Sequence, residues 1–165
     1  MAKTLIAFFS RADENYFSGA MRYVKVGNTE IVCNLMKEMI PADTFKIEMK
    51  EPYSSVYMTC IEEAKHRIGT APIKKKLTDI SAYDTIFIMS PIYWGTYAPE
   101  VETALEGLDF TGKTVRVIST HEGSGLAGMP SDIKKMCKGA NVDMRGLAIK
   151  GSQAKNARQK VADWL

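Results

Sequence analysis

Short apolar runs alternate with longer amphipathic stretches along the whole of this chain of 165 residues. This alternation is typical of strands and helices packed around a mostly parallel β-sheet. Three of the runs lack regular polar alternation, which predicts central strands that are covered on both faces. The predicted strands are Thr4–Phe9, Thr44–Ile47, Thr85–Met89, Thr114–Ile118 and Met144–Ile149, of which the first, third and fourth are the central ones.

Helices are predicted between these strands, and after the last one, because apolar residues recur there at spacings of three and four. The clearest stripe runs from Ile31 to Ile40 and stops at Pro41, and Pro99 is suited to the first turn of a later helix. No repeat or low-complexity linker interrupts the pattern. The pattern therefore predicts that residues 1–165 form a single doubly wound α/β domain with three layers. In such domains, ligands bind beyond the carboxyl ends of the strands.

Composition and charge exclude several classes of protein. Lys and Arg number 22 against 19 Asp and Glu, a surplus too small to indicate nucleic-acid binding. The composition is that of a globular chain without a membrane span, and the N-terminal apolar run is too short for a signal peptide. Cys33, Cys60 and Cys137 are odd in number and lack C-x-x-C spacing, which favours buried thiols over disulfides or zinc ligands. We therefore expect a cytoplasmic protein with no metal site and no membrane or nucleic-acid partner.

The loop after the first strand ends where a helix is predicted to begin. Ser10 and Arg11 follow the strand, and Gly27, Asn28 and Thr29 open the helix. Hydroxyl groups beside the unpaired N–H groups of a helix N-terminus form an anion site without needing a lysine. Asn28 or Thr29 acting only as a helix cap is the alternative. Neither the dinucleotide motif G-x-G-x-x-G nor the P-loop motif is present, so any phosphate is bound in another way.

Two further loops are expected at the same edge of the sheet. Residues 90–97 contain three aromatic side chains, which either pack against the protein or offer a flat surface to a ligand ring. Residues 119–128 are rich in glycine, which lets the backbone approach a ligand closely, although a flexible connection would look similar. The three loops together favour a flat, polar-edged ring system that carries a phosphate.

Three motifs within these loops together resemble the flavodoxin-like family. They are Ser10-Arg11 with Gly27-Asn28-Thr29, then Pro91-Ile92-Tyr93-Trp94-Gly95, and finally Thr120-His121-Glu122-Gly123-Ser124-Gly125. The resemblance covers essentially the whole chain and implies a five-stranded parallel sheet in the order 2-1-3-4-5, with FMN bound at the carboxyl edge. It is closest to short members of the family in which an insertion, here Ala12 to Val26, interrupts the phosphate loop.

The resemblance also implies residue roles. Ser10, Asn28 and Thr29 would hold the FMN phosphate, Tyr93 and Trp94 would flank the isoalloxazine ring, and Gly95 would lie beside its N5 edge. Residues 120–125 would close over the other side of the ring. The full set of candidate FMN-binding residues is Ser10, Arg11, Gly27, Asn28, Thr29, Ser90, Pro91, Ile92, Tyr93, Trp94, Gly95, Thr120, His121, Glu122, Gly123, Ser124 and Gly125.

The function implied is electron transfer through an exposed flavin edge, to or from a redox partner protein or a small electron acceptor. The alternative is an NAD(P)H-dependent quinone or flavin oxidoreductase that uses the same FMN site, and either a monomer or a homodimer is compatible with the sequence. No residue is assigned a catalytic role because the redox chemistry belongs to FMN. Gly95 and His121 are candidates for tuning it, although His121 is equally suited to orienting its own loop.

The loops expected around the ring contain no lysine or arginine from Ser90 to Glu106 or from Ser119 to Asp132. A nearby cation would stabilise the reduced, anionic ring, so these loops predict a low-potential flavin that favours one-electron exchange. A phospho-receiver module shares this strand order but needs an aspartate at the end of the third strand, where this chain has Ser90-Pro91. That class is therefore excluded.

Overall fold

The computed structural model describes residues 3–17 and 19–165, so Met1, Ala2 and Ser18, the last of them within the predicted insertion, lie outside the described residues. A 3₁₀ helix over Gly151–Asn156 precedes the last α-helix. The other elements, in chain order, are β1 (Thr4–Phe8), β2 (Asp13–Phe17), β3 (Ala20–Val24), α1 (Asn28–Met39), β4 (Asp43–Lys46), α2 (Tyr57–His66), β5 (Thr85–Tyr93), β6 (Thr96–Tyr97), α3 (Pro99–Leu105), β7 (Thr114–His121), α4 (Met129–Met136), β8 (Asn141–Lys150) and α5 (Arg158–Trp164).

Five parallel strands form the main sheet in the spatial order β4-β1-β5-β7-β8. All five predicted strands are present, the interior ones are the three predicted to be central, and the arrangement agrees with the expected strand order. In register, Leu5 lies opposite Ile86, which in turn lies opposite Val115. β5 and β7 continue past their predicted ends, to Tyr93 and His121, so both strands carry residues directly into the ligand edge.

The hydrophobic core occupies both faces of this sheet. Along β1, Leu5 and Ala7 belong to one buried cluster while Ile6 and Phe8 belong to the other, because successive side chains of a strand point to opposite faces. The first cluster includes buried residues of α2, α3 and α4, and the second includes those of α1 and α5. A sheet covered on both faces explains why the interior strands lack polar alternation.

A β-hairpin of β2 and β3 lies between β1 and α1, within the segment from Ala12 to Val26. It is an antiparallel sheet of its own, separate from the main sheet. Glu14 ties it to the start of α2: the Glu14 N–H donates to the Ser55 carbonyl oxygen at 3.2 Å, and the Glu14 carboxylate accepts from the Tyr57 N–H at 2.9 Å. No strand or helix was predicted in this segment.

The three cysteines are buried free thiols, as predicted. Burial raises the pKa of Cys33 and Cys60 to about 11 and that of Cys137 to about 12. All three therefore remain protonated and unreactive at neutral pH. Across residues 3–17 and 19–165, no group of three or more His, Cys, Asp or Glu side chains could hold a metal ion. The described helices include none long and apolar enough to cross a membrane.

Candidate functional site

The three predicted loops meet around one cavity of about 130 Å³ beyond the carboxyl ends of β1, β5 and β7. Most of the predicted FMN-binding residues line this cavity, and three residues that were not predicted line it as well. Those three are Asn15, Tyr16 and Tyr57; the predicted residues in the lining are Ser10, Arg11, Asn28, Thr29, Pro91, Ile92, Tyr93, Thr120, His121, Glu122 and Ser124.

One part of the cavity lining is formed by hydroxyl groups at the start of α1. Thr29 is buried in the first turn, and its Oγ1 lies 2.7 Å from the Oγ1 of Thr120. The Ser10 Oγ accepts a hydrogen bond from the Glu30 N–H at 3.1 Å, so a side chain from the preceding loop caps this helix. The helix N-terminus adds a partial positive charge to these neutral donors, and together they can bind an anion.

Two glycines behind the cavity allow close approach of neighbouring segments. A Cβ at Gly27 would lie 2.3 Å from the Ser10 Oγ and 2.5 Å from the Arg11 carbonyl oxygen. A Cβ at Gly151 would lie 2.3 Å from the Asn28 Nδ2. Gly27 therefore does not line the cavity itself, but its small size allows Ser10 and Arg11 to pack against the start of α1.

Arg11 is buried in the wall of the cavity, with 5% of its surface exposed. Its guanidinium donates to the carbonyl oxygens of Glu14 and of Ser54, the latter at 2.7 Å. The Nε atom is also buried and has no hydrogen-bond partner among the described residues. Arg11 therefore connects β1, the hairpin and the segment before α2, and it keeps one donor for a ligand.

Tyrosine rings form a second part of the cavity lining. Tyr93 packs edge-on against Phe9 and Tyr53, with ring centroids 6.1 and 6.2 Å away. Tyr16 of the hairpin and Tyr57 of α2 are stacked at 6.2 Å with an interplanar angle of 26°. These rings offer flat apolar surfaces to a ligand ring.

Trp94 does not line this cavity, contrary to the expectation that it flanks the ligand ring beside Tyr93. It lies over α2, where its Nε1–H donates to the Ile61 carbonyl oxygen at 2.7 Å and Lys65 Nζ lies 5.3 Å from the centre of its ring. Trp94 lines instead an adjoining cavity of about 220 Å³, which shares Tyr57, Ile92 and Tyr93 with the first cavity.

The placement of Trp94 follows from a tight turn between β5 and β6. Tyr93 pairs with Thr96, so the turn consists of Trp94 and Gly95, whose φ angles are +53° and +83°. Two-residue hairpin turns of type I′ require positive φ at both positions. Gly95 is outside the cavity lining, and its carbonyl oxygen accepts a hydrogen bond from the Gly128 N–H at 2.9 Å.

The loop after β7 has an internal hydrogen-bond structure. Ser119 Oγ donates to the Gly125 carbonyl oxygen at 2.7 Å, and the Gly123 N–H donates to His121 Nδ1 at 2.9 Å. Burial lowers the pKa of His121, so its ring is neutral near pH 7 with the proton on Nε2. Gly123 and Gly125 shape the loop without lining the cavity.

Ser90 has a structural role at the end of β5. It is fully buried. Its Oγ accepts a hydrogen bond from the Ala98 N–H at 2.8 Å and donates one to the Pro91 carbonyl oxygen at 2.8 Å. These bonds anchor the start of the aromatic loop to the residue that precedes α3. Ser90 therefore positions the loop and is not part of the cavity lining.

A family model described as flavodoxin matches residues 15–165, and the chain belongs to this family. No curated protein matches the chain. Among solved structures, a protein from Bacteroides eggerthii DSM 20697 has a TM-score of 0.72 and 22% identity, covering 99% of this chain and 98% of its own.

Two further solved structures were determined with FMN. A flavoprotein from Lactobacillus acidophilus NCFM in complex with FMN has a TM-score of 0.64 and 20% identity, with coverage of 94% of this chain and 98% of its own. A point mutant of Fusobacterium nucleatum flavodoxin, bound to flavin mononucleotide, has a TM-score of 0.53 and 16% identity, with coverage of 99% and 93%. At these identities the likeness shows the shared fold.

Proposed function

We propose that this protein binds FMN in the cavity between β1, β5 and β7 and exchanges electrons with a partner protein or a small acceptor. The observation that carries the proposal is that two kinds of group line the same cavity. Hydroxyl groups beside a helix N-terminus form one part of the lining, and tyrosine rings form another. An anionic phosphate attached to a flat ring matches this combination, and two members of the same fold were solved with FMN.

The residues present fit this cofactor. The buried pair of Thr29 and Thr120 hydroxyls offers hydrogen bonds to phosphate oxygens, and Arg11 Nε is a buried donor with no partner among the described residues. Ser10, Asn28 and Thr29 would hold the phosphate, as the family resemblance implies. Tyr93 and Tyr57 would contact the ring, a pairing that replaces the expected Tyr93 and Trp94.

When bound, FMN supplies the capacity to take up and release one or two electrons. The chain's own residues bind it, orient it and set its electrostatic surroundings. His121, neutral and with its proton on Nε2, can donate a hydrogen bond from the loop after β7. The Tyr57 and Tyr93 rings exclude water from the surfaces they cover. The turn of Trp94 and Gly95 directly follows Tyr93 and so fixes the position at which the chain leaves the cavity.

A binding titration tests this proposal directly. Purified protein, stripped of any coloured ligand, is titrated into FMN, and quenching of FMN fluorescence reports binding. We expect FMN to bind more tightly than riboflavin, because the hydroxyl groups of the cavity recognise the phosphate. A protein that binds neither compound, or that binds riboflavin as tightly as FMN, contradicts the proposal.

An NAD(P)H-dependent quinone or flavin oxidoreductase is the second candidate function. The adjoining cavity of about 220 Å³ favours it, because that cavity shares Tyr57, Ile92 and Tyr93 with the proposed FMN site and is otherwise lined mainly by apolar residues. A flat second substrate there would reach the same tyrosines. Steady oxidation of NADH or NADPH by the FMN-loaded protein with a quinone, and without an added reductase, would support this function. Reduction only by a separate reductase would support the electron carrier.

A further inference from the structure

A groove between the hairpin and α1 adjoins the proposed FMN cavity at Asn28. Its volume is about 760 Å³, and Asn28 lines both spaces. The rest of the groove is lined by β3 and the two residues that follow it, by Phe17 at the end of β2, by one side of α1 and by the 3₁₀ helix. The proposed binding of FMN makes no use of this groove.

The groove has an excess of positive charge. Arg22, Lys25 and Lys155 line it, and all three are exposed. None of them forms an ion pair with any residue that the structure describes. Among the described lining residues, Glu38 is the only acidic one, and its carboxylate is paired with Arg158. Exposed cations without a carboxylate partner in their own chain favour an acidic ligand.

Apolar side chains line the same groove. Ile31 and Leu35 lie one turn apart on the same side of α1, and both are half-buried. Phe17 and Val24 of the hairpin are half-buried, and Val26 is 40% exposed. A small inorganic anion would leave these surfaces in contact with water. The groove is therefore suited to a ligand that carries both acidic and apolar groups.

The free edge of β3 borders this groove. β3 pairs only with β2 in a two-stranded sheet, and no backbone hydrogen bond joins residues 20–26 to any other segment that the structure describes. Arg22, Tyr23 and Val24 line the groove in succession, although successive side chains of a strand point to opposite faces. The groove therefore meets the strand along its edge. Such an edge offers unpaired N–H and carbonyl groups to an added strand.

We propose that this groove docks an extended acidic segment of a partner protein, which adds to the edge of β3 as a third strand. Successive side chains of such a segment point to opposite faces, so acidic ones can meet the three cations while apolar ones cover the α1 side of the groove. The partner is then held next to Asn28 and so next to the proposed FMN cavity. The docking itself does not depend on FMN.

Fluorescence anisotropy with a synthetic peptide tests the proposal on the full chain as purified. The probe is a fluorescein-labelled peptide of four Glu-Val repeats with blocked ends, and a peptide of four Lys-Val repeats is its control. We expect the Glu-Val peptide to bind about tenfold more tightly or better than the control, with an affinity that falls as salt is added. No saturable binding of the Glu-Val peptide up to about 1 mM protein, or equal binding of the two peptides, overturns the proposal.

Charge-reversal variants locate the binding site. Lys25→Glu and Lys155→Glu change cations of the groove, whereas Lys75→Glu makes the same change of net charge at an exposed residue outside it. Each groove variant loses an attraction and gains a repulsion, so we expect it to weaken binding of the Glu-Val peptide roughly tenfold. The control variant is expected to change the affinity less than threefold. Equal weakening by all three variants, or an unchanged affinity in both groove variants, overturns the proposal.

Amide hydrogen exchange, followed by NMR, tests the addition of a strand. Binding of the Glu-Val peptide should slow exchange at alternate amides of residues 20–26 about tenfold or more, because these groups become hydrogen-bonded. Unchanged exchange there, or slowing confined to the residues that line the FMN cavity, overturns the proposal.

Sedimentation of the full chain, with and without the Glu-Val peptide, tests a second copy of this chain as the occupant. We expect the peptide to leave the oligomeric state unchanged. A stable dimer that the peptide dissociates would assign the groove to a second copy and overturn the proposal. None of these results bears on the proposed function, which the titration with FMN tests separately.

Discussion

Replacing Thr29 by alanine separates a role in FMN binding from a role in the fold. Thr29 is 1% exposed, and its hydroxyl lies 2.7 Å from that of Thr120, which is 3% exposed. In the proposed complex one of these hydroxyls donates to the phosphate while the pair stays hydrogen-bonded. The Thr29→Ala variant removes both the Thr29 donor and the bond between the two hydroxyls.

The expected magnitudes follow from the burial of this pair. A hydrogen bond to a charged group contributes about 1.5–3 kcal/mol, so FMN affinity should fall roughly tenfold to 150-fold. The buried Thr120 hydroxyl would lose its partner, which should lower the free energy of unfolding of the FMN-free protein by about 1–3 kcal/mol. Riboflavin affinity should change less than threefold because riboflavin has no phosphate.

Fluorescence titration with FMN and riboflavin, combined with urea unfolding of the FMN-free protein, measures both effects. Thr29→Ser keeps the hydroxyl and should retain FMN affinity. Thr103→Ala is a matched control outside the cavity, because it removes a hydroxyl that donates to the Ala71 carbonyl oxygen at 2.7 Å. A Thr29→Ala variant with lower stability but unchanged FMN affinity would refute the assignment of Thr29 to the phosphate.

Three further predictions concern the buried Glu100, and also Gly151 and His121. Burial raises the pKa of Glu100 above its ordinary value of 4.5, so the folded protein holds a proton there at pH values where the unfolded chain has lost it. Relative to Glu100→Gln, the wild type should therefore lose stability as the pH rises above 4.5. Urea unfolding of both proteins at pH 4.5 and 7.5 measures this difference. Gly151→Ala places a Cβ against Asn28 Nδ2 and should weaken FMN binding in the fluorescence titration, while the neighbouring Ser152→Ala should not. Burial lowers the pKa of His121, so NMR titration of its ring protons should give a midpoint below 6.5, and a midpoint at or above 6.5 would contradict its buried, neutral state.

The sequence predicted the main sheet well because its interior strands are buried on both faces. β1 and the first six residues of β5 are almost continuously buried, which produces apolar runs that a single sequence reveals. The hairpin lacks this signal: no residue of β2 or β3 is fully buried, so its side chains show no core-facing period. Its strands are held mainly by their own pairing and by Glu14, contacts that periodicity does not report.

The cavity is lined by the loops that were predicted to meet and also by residues that were not predicted, namely Asn15 and Tyr16 of the hairpin and Tyr57 of α2. Tyr57 lines the cavity from the start of α2, where Glu14 of the hairpin accepts a hydrogen bond from its N–H and Arg11 donates to the preceding segment. The position of Trp94 could not be predicted because the turn before β6 has a positive φ at this tryptophan, whereas the usual sequence signal for such a turn is Asn-Gly or Asp-Gly. Ser90 and Gly95 make contacts within the loop structure: the Ser90 Oγ accepts from the Ala98 N–H, and the Gly95 carbonyl oxygen accepts from the Gly128 N–H.

Arg11 shows why the electrostatics of the cavity could not be inferred from the loops that were expected to surround the ring. Those loops lack lysine and arginine, and the low-potential prediction followed from that absence. Arg11, the residue after Ser10, adds a cation to the cavity lining, and its guanidinium donates to the Ser54 carbonyl oxygen 43 residues away. The same guanidinium holds the hairpin to the segment before α2, and its charge partly opposes the rise that burial causes in the pKa of Tyr57 and of Tyr93. The hairpin is therefore part of the electrostatic environment of the cavity, and a change that loosens it should alter the redox properties of a bound flavin as well as access to it.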